Sequence, residues 1–266
     1  ICWDGPGGSQ KRKGIVKSYK AGRKPLRPNH NIENMQLDKQ LQNKIWQQTR
    51  LFNYLNTVPV IQLMLPGVEA DDIISYVAQH STLKGWQKVI ISSDKDFYQL
   101  CDKETIIWRP ITKEAVTWKS VLEKFDIHPK NFALARAIAG DKSDNLPGVD
   151  GVGLRTVANR FTFLANNKSH TLNDILSHCS GINSDIKAYE NIIKQFAVVK
   201  INYKMMQLYS PSISIQGVSK IDYGMSEFEY HFNKTEFRKM MIEDGFGEWN
   251  HDNMFQQFNK IAVIKG

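Results

Sequence analysis

Three groups of carboxylates carry the chemistry that this sequence suggests. They are Glu69-Ala70-Asp71-Asp72, Asp94-Lys95-Asp96, and the pair Asp141 and Asp144, which stands in front of a glycine-rich double turn. With Asp4 they make eight acidic side chains, which could not all ionise side by side without cations between them. Such oxygen ligands suit Mg²⁺ or Mn²⁺, and no His or Cys pattern indicates zinc. We therefore predict two divalent ions roughly 4 Å apart, an arrangement that activates water and stabilises the leaving oxygen of a phosphodiester.

Each acidic group has an ordinary structural explanation when it is considered alone. Glu69–Asp72 is typical of an acidic helix N-terminus that the helix dipole stabilises. Asp94-Lys95-Asp96 is typical of a turn with a helix cap, and Asp141 and Asp144 could form a simple Asx turn. All three groups occur together, each after a predicted strand or helix. That joint occurrence favours the metal site.

The predicted elements bring most of these acids to one edge of a sheet. Residues 1–3, 58–64 and 88–93 are predicted as strands, and an acidic group follows each of them. Functional groups of an open α/β sheet collect at the carboxyl ends of its parallel strands. Alternation of strands with helices predicts an α/β layer fold with a central, mostly parallel sheet. The other elements predicted in this half are helices at 32–56, 70–80 and 96–100 and strands at 105–108 and 115–117.

The second half of the chain is predicted to be mainly helical, and one part of it could hold phosphate. Residues 132–161 are typical of a helix, two turns and a second helix, in which Gly148, Gly151 and Gly153 allow close approach or positive φ. Backbone N–H groups at the start of the second helix can face a phosphate. Lys142, Arg155 and Arg160 could add charge contacts with phosphate groups, which do not depend on the base sequence. A simple helix–helix connection is the alternative. The helices predicted in this half are 118–125, 130–139, 154–161, 171–179, 185–205, 234–241 and 253–261.

Positive charge is concentrated near the start of the chain. The formal net charge is +8, and no acidic residue lies between Asp4 and Glu33. Tyr19 lies within this basic run, and an aromatic ring among cations suits single-stranded nucleic acid. A merely solvated loop is an equal alternative. The basic residues of the run are Lys11, Arg12, Lys13, Lys17, Lys20, Arg23, Lys24 and Arg27.

Several classes of protein are disfavoured by the composition. No apolar run approaches the roughly 20 residues of a membrane span, so we expect no integral membrane protein. Cys2, Cys101 and Cys179 are odd in number and scattered, which fits a reducing compartment rather than a disulfide framework. Ile1-Cys2-Trp3 is typical of the end of a buried strand, and such a strand needs neighbours on both sides. We therefore expect the chain to be a fragment, or to lack an N-terminal portion.

The chain resembles the 5′-nuclease family, which comprises flap endonucleases, phage 5′–3′ exonucleases and the 5′-nuclease domain of bacterial DNA polymerase I. The segments that carry the resemblance occur in family order: Tyr-Lys-Ala-Gly-Arg, Glu-Ala-Asp-Asp, Ser-Asp-Lys-Asp-Phe-Tyr-Gln-Leu and Gly-Asp-Lys-Ser-Asp-Asn-Leu-Pro-Gly-Val. The resemblance implies a PIN-like metal-binding core at 1–125 that includes a basic helical arch at 11–45. It also implies a helical domain at 126–205 with the helix-two-turn-helix at 132–161. Residues 206–266 form an extension without a functional interpretation.

The resemblance also implies a role for individual residues. One metal would be surrounded by Asp4, Glu69, Asp71 and Asp94, and the second by Asp96, Asp141 and Asp144, with Asp72 as a nearer or outer member. Lys20 and Arg23 match the basic pair of the arch and would steer the scissile phosphate and stabilise its charge. The turns at 132–161 would grip duplex DNA and could bind a K⁺ ion through their carbonyl groups. Two departures stand out: the family carries one more metal-binding Asp on an earlier strand, and Arg155 stands where many members have Lys.

The predicted function is that of a structure-specific 5′ nuclease, a 5′–3′ exonuclease and flap endonuclease that could remove RNA primers during DNA replication. The expected cofactor is Mg²⁺, as two ions, with Mn²⁺ as a substitute. The expected substrates are branched or nicked DNA and RNA–DNA duplexes with a 5′ single strand. Replication proteins are expected partners, in the cytoplasm of a bacterium or a phage-infected cell. Two alternatives stay open, namely a non-catalytic module that binds branched DNA and a single-strand ribonuclease of the PIN-like class.

Overall fold

The computed structural model describes residues 1–22, 37–181, 186–246 and 250–263, and this part of the chain confirms the α/β class. No helix in these ranges is both long enough and apolar enough to cross a membrane. The helices are α1 Gln10–Ile15, α2 Leu37–Asn56, α3 Ala70–Ala78, α4 Trp118–Phe125, α5 Pro129–Ala139, α6 Leu154–Arg160, α7 Leu172–Gly181, α8 Lys187–Lys194, α9 Phe196–Met206, α10 Ile215–Ser226, α11 Lys234–Glu243 and α12 Asp252–Val263. The strands are β1 Cys2–Trp3, β2 Leu63–Met64, β3 Lys88–Ile91, β4 Thr105–Arg109 and β5 Glu114–Val116.

The described strands form two small sheets rather than the single sheet that the sequence predicts. β1 pairs with β2 in parallel, and β3 pairs with β4 in parallel. β5 then adds antiparallel to β4, with Ile107 opposite Val116. Of the predicted strand at 58–64, only the last two residues pair. Pro59 cannot donate to a ladder, and the N–H groups of Val58 and Val60 are used in local turns.

The contacts of the chain divide it into two compact units that are assembled from distant segments. Unit one combines Ile1–Trp3, Lys24–Met64 and Ser214–Gly266. Unit two combines Asp4–Arg23 with Leu65–Ile213. These limits do not coincide with the predicted segments 1–125, 126–205 and 206–266, because the C-terminal segment shares a unit with α2 and not with α9.

Unit one has an aromatic core, and hydrogen bonds to Asp244 lie beside it. Phe237 and Phe255 are buried with Val58 and Met241, and their rings meet edge to face with centroids 5.7 Å apart. Arg50 of α2 donates from Nε to Oδ2 of Asp244 at 2.7 Å. Tyr54 also donates to that oxygen at 2.7 Å, and its pKa rises to about 12, first because of burial and then because of the Asp244 carboxylate. The C-terminal extension is therefore a structural part of this unit.

Unit two holds a continuous core that runs from its sheet into its helices. Ile107 of β4, Phe132 of α5 and Phe161 at the end of α6 are fully buried in one cluster. α5 packs along α9, where the buried Asn202 donates from Nδ2 to the carbonyls of Ala137, at 2.9 Å, and Pro147, at 2.8 Å. These hydrogen bonds tie the end of α5 to the turn that follows it, and the turn carries the candidate site.

Candidate metal centre and nucleic-acid interface

Three carboxylates of unit two converge closely enough to hold one cation. One oxygen from each of Asp96, Asp141 and Asp144 lies within 4.8 Å of the others. Asp96 lies on the 3₁₀ helix Lys95–Leu100 that follows β3. Asp141 caps the short 3₁₀ helix Lys142–Asp144 after α5, and Asp144 is the last residue of that helix. A set of three carboxylates, without nitrogen or sulfur, fits a hard divalent ion such as Mg²⁺ or Mn²⁺. The three residues predicted to complete the second metal site therefore lie together in the structure.

The caps predicted as alternatives are also present. Asp94 accepts at Oδ1 from the Asp96 N–H at 2.9 Å. Asp141 accepts at Oδ1 from the Ser143 N–H at 2.8 Å and from its hydroxyl at 2.7 Å. Each carboxylate oxygen has two lone pairs, so a cap does not prevent the same group from binding a cation. The caps fix the directions of these two carboxylates.

A guanidinium bridges two members of the carboxylate group. Arg136 of α5 donates to Oδ1 of Asp96 from Nε, at 3.2 Å, and from Nη2, at 3.0 Å. It also forms an ion pair with Asp141. Burial disfavours the ionised form of Asp141, but the Ser143 hydroxyl and Arg136 outweigh it and lower the pKa of that carboxyl. No sequence pattern indicates this role, although Arg136 lies only five residues before Asp141, on the helix that leads into the turn.

Two of the predicted metal ligands, Asp71 and Asp96, have a raised pKa. Burial raises the pKa of Asp71 to about 7, and the charge of Asp94 acts in the same direction. Burial likewise raises the pKa of Asp96 to about 6, with Arg136 opposing and Asp94 adding to the rise. The charge of Asp94 therefore acts on both Asp71 and Asp96, which links the two predicted metal sites electrostatically. Groups that resist ionisation in this way gain from a bound cation.

Glu69 and Asp72, in contrast, already have cationic partners. Arg12 of α1 forms ion pairs with both carboxylates, with Nη1 at 2.8 Å from Oδ2 of Asp72. Lys20 donates to Oε1 of Glu69 at 2.7 Å. Although burial opposes ionisation of Glu69, the Lys20 hydrogen bond and the Arg12 charge outweigh it and lower the pKa of Glu69. Arg12 thus balances the charge of both carboxylates, a pairing that its place in a basic run did not indicate. The outer position of Asp72 at a metal stays a prediction.

Asp4 follows β1 as predicted, and its side chain has a structural partner. Its Oδ1 accepts from the Ala70 N–H at 2.8 Å, which satisfies a free donor at the start of α3. The group of three converging ligands found in the described residues does not include Asp4, Glu69, Asp71, Asp72 or Asp94. Their assignment as metal ligands stays a prediction.

Tyr19 does not present its ring to a nucleic acid, so the predicted base-stacking role is corrected. The residue is 3% exposed and packs against Leu146, Met205 and Met206. Its hydroxyl donates to Oε2 of Glu69 at 3.3 Å. An aromatic ring among cations predicts an exposed position, but this ring packs in an apolar cluster and its hydroxyl donates to a carboxylate.

The turn that carries Lys20 is held by the loop after α5. The Lys20 N–H donates to the carbonyl of Asp144 at 3.1 Å. Asn145 donates from Nδ2 to the carbonyls of Ser18, at 3.0 Å, and Ala21, at 2.7 Å. Lys20 has a φ of 54°, an uncommon conformation that these contacts stabilise. Asn145 therefore holds the turn that carries Lys20, a contact that no sequence pattern indicated. The predicted partner Arg23 lies outside the described residues.

The double turn after α5 depends on two glycines that touch each other. A Cβ on Gly148 would lie 2.1 Å from the Ala139 carbonyl oxygen. Gly140 has a φ of 75°, and a Cβ there would lie 2.2 Å from the Gly148 nitrogen. The predicted phosphate-contacting positions Lys142, Gly151, Gly153, Arg155 and Arg160 are exposed. Gly148 itself is packed, and its part in the turn is structural.

Comparison with known proteins agrees with this arrangement. The family described as "5'-3' exonuclease, N-terminal resolvase-like domain" matches residues 1–126. The 5'-3' exonuclease of Aquifex aeolicus (strain VF5) is 27% identical over 209 residues, covering 77% of this chain and 63% of that protein. The 5'-3' exonuclease of Buchnera aphidicola subsp. Schizaphis graminum (strain Sg) is 34% identical over 146 residues, covering 54% and 46%. The chain thus spans less than two thirds of these relatives.

Two solved structures of a phage protein share the fold. The T5 D15 protein co-crystallised with metal ions has a TM-score of 0.58 at 18% identity, covering 97% of this chain and 82% of that one. The bacteriophage T5 D15 flap endonuclease in a pseudo-enzyme-product complex with DNA and metal ions has a TM-score of 0.59 at 19% identity, covering 92% and 82%. At such identities the likeness shows the fold alone.

Proposed function

We propose that this chain, which belongs to the 5′-nuclease family, is a structure-specific 5′ nuclease that hydrolyses phosphodiesters with two divalent metal ions. The observation that carries the proposal is the convergence of Asp96, Asp141 and Asp144 directly beside the double turn. One short loop supplies two of the metal ligands, the carbonyl that holds Lys20, and the entry to the predicted DNA grip. Chemistry and substrate binding are therefore connected over a few residues.

The residues of the proposed centre act as follows. Asp96, Asp141 and Asp144 hold one Mg²⁺, and Asp71 and Asp94 hold the other with Asp4 and Glu69. When bound, the ions supply a more acidic water molecule and stabilisation of the leaving oxygen. Asp72, which pairs with Arg12, lies at the edge of the site. Mn²⁺ could take the place of Mg²⁺.

Lys20 supplies positive charge to the phosphate. Burial disfavours its charged form, but hydrogen bonds with Glu69 and Tyr19 outweigh burial and raise the pKa of Lys20 above its ordinary value. The ammonium is therefore charged throughout the neutral range, and its turn is fixed by Asn145. A fixed cation beside a developing negative charge stabilises the transition state without reorganisation. Arg23, three residues later, is proposed to act with it.

The proposed substrates are branched or nicked DNA and RNA–DNA duplexes with a 5′ single strand. Exposed Lys142, Arg155 and Arg160 along the two turns suit the phosphates of a duplex, with Gly151 and Gly153 allowing close approach. A K⁺ ion on the turn carbonyls would add to this grip. The proposed setting is DNA replication in the cytoplasm of a bacterium or a phage-infected cell, alongside replication proteins.

Cleavage of a labelled 5′-flap duplex tests the proposal. We expect cutting near the junction with Mg²⁺, and binding without cutting in Ca²⁺ or EDTA. Asp94→Asn and Asp141→Asn should each lower the cleavage rate by at least about a hundredfold, while the Kd for flap DNA in Ca²⁺ stays within about threefold. Asp126→Asn is the matched control, because Asn is well tolerated at the left-handed conformation of Asp126.

The outcomes separate the competing functions. Flap binding without cleavage by the unaltered chain in Mg²⁺ would support a non-catalytic module that binds branched DNA. Cutting of unpaired RNA as fast as of the flap would support a PIN-like ribonuclease. Normal cleavage by the Asp141→Asn variant would contradict the metal assignment itself.

A further inference from the structure

A positive charge is built into the carboxylate group itself. Arg136 contacts Asp96 through two nitrogens and Asp141 through one of them. Its side chain is only 12% exposed, while those of Asp96 and Asp141 are 19% and 13% exposed. Charges held away from water in this way interact more strongly than a surface ion pair. Arg136 is therefore a component of the site and not part of the solvated surface.

The contacts of Arg136 with Asp96 and Asp141 suit a site that must stay folded when no metal ion is bound. Three ionised carboxylates whose oxygens lie within 4.8 Å of one another repel each other, and all three are largely shielded from water. The planar fork of a guanidinium can donate to two carboxylates at once, which an ammonium cannot do in the same geometry. Because Arg136 lies on the regular helix α5, its position is fixed by packing and does not depend on the loop that carries Asp141.

We propose that Arg136 is a positioning residue that keeps Asp96 and Asp141 together in the metal-free protein and weakens this site's affinity for a divalent ion. The inference rests on the proposed metal centre. The carboxylates of Asp96, Asp141 and Asp144 carry three negative charges, and the guanidinium offsets one of them. A divalent ion therefore enters a group of net charge −2 and is repelled by the nearby cation. Both hydrogen bonds from Arg136 to Asp96 go to Oδ1, so Oδ2 of Asp96 and a second lone pair on Oδ2 of Asp141 can still face a cation. The ion and the guanidinium can therefore share the site.

Mn²⁺ binding without DNA tests this inference independently of nuclease activity. Titration calorimetry or Mn²⁺ electron paramagnetic resonance would give the affinity of the site that Asp141→Asn removes. Arg136→Gln keeps a hydrogen-bond donor and loses the charge, and it should bind Mn²⁺ at least about tenfold more tightly. Arg136→Lys keeps the charge and loses the fork, and its affinity should stay within about threefold of the unaltered protein.

Thermal unfolding in EDTA supplies the second readout. Arg136→Gln and Arg136→Lys should both unfold at a lower temperature than the unaltered protein. Saturating Mn²⁺ should restore most of the lost unfolding temperature in Arg136→Gln. Arg109→Gln is the matched control, since this arginine of the same unit pairs with Glu114 at 3.3 Å, outside the carboxylate group. It should leave the Mn²⁺ affinity unchanged.

The results distinguish this inference from the proposed function. If the unaltered protein binds Mn²⁺ and Arg136→Gln binds it equally or more weakly, the inference is overturned and the metal centre stands. A purely structural arginine would give that result, with lower unfolding temperatures and unchanged affinity. If the unaltered protein binds no Mn²⁺ that Asp141→Asn removes, both the metal centre and the inference are overturned.

Discussion

Folding raises the pKa of two carboxyl groups, Asp71 and Asp96. Burial is the main cause of both shifts, which bring the pKa of Asp71 to about 7 and that of Asp96 to about 6. In the unfolded chain an Asp ionises near pH 3.9. Between about pH 4 and 7 the folded protein therefore binds more protons than the unfolded chain. Stability of the metal-free protein must then fall as the pH rises through this window.

We predict that in EDTA the unfolding temperature falls by roughly 5 °C between pH 5 and pH 8, and that Mg²⁺ stabilises the protein more at pH 8 than at pH 5. Asp71→Asn should flatten the pH dependence and raise the unfolding temperature in EDTA at pH 8. His128 has a pKa lowered first by burial, and it acts in the opposite sense, so the comparison with the variant isolates Asp71. A metal-free protein that gains stability from pH 5 to pH 8, with or without Asp71, would contradict the prediction.

At the level of residues, the sequence identified the acids and Lys20, but not Arg12 and Arg136, which also pair with the acids. Spacing after strands and helices was enough to select Asp96, Asp141 and Asp144. The partners Arg12 and Arg136 were missed because each pairing depends on how separate helices pack, which no local pattern encodes. Tyr19 was assigned wrongly for the same reason, since burial of its ring follows from contacts more than a hundred residues away.

Among the elements, the double turn after α5 is tightly constrained by its glycines. Gly148→Ala should lower the free energy of unfolding by about 3 kcal/mol, because the new Cβ would lie 2.1 Å from a backbone carbonyl that cannot move freely. Gly153→Ala is the control, since Gly153 has open space around its Cβ position and a φ of −90°. Urea unfolding measures both variants. Equal effects would show that the close approach of Gly148 is not required.

Helices were predicted better than strands, for physical reasons. Helix 118–125 has the predicted limits because Thr117 caps it and Asp126 ends it in a left-handed conformation. The predicted helix 185–205 is two helices, α8 and α9, since the chain leaves helical geometry at Gln195. α10 was not predicted, as Gly217 and Gly224 weaken its helical signal. Strands of two residues, such as β2, are fixed by their partners and have no signal of their own.

For the whole molecule, the composition of the two units could not be predicted from the sequence. Residues 214–266 gave weak local patterns and no motif, yet they supply Phe237, Met241 and Phe255 to the core of unit one. The partner residues on the other side of that core, Tyr54 and Val58, precede them by about 180 positions. Only the folded chain shows that a segment without a recognisable motif is needed to complete a core.

The division into two units predicts which helices unfold locally when a substitution destabilises unit one. Phe237→Ala removes a ring that packs against four others, those of Tyr54, Phe232, Phe255 and Phe258. It should lower the free energy of unfolding of unit one by about 3 to 5 kcal/mol. Cooperative units can open separately, so hydrogen exchange should accelerate in α2, α11 and α12, which belong to unit one. The amides of α5 and α9 should keep their protection, and Mn²⁺ binding in unit two should persist. Ile242→Ala is the matched control, as that side chain is 64% exposed and its removal should change exchange little. Equal acceleration in α5 would show instead that the two units unfold as one.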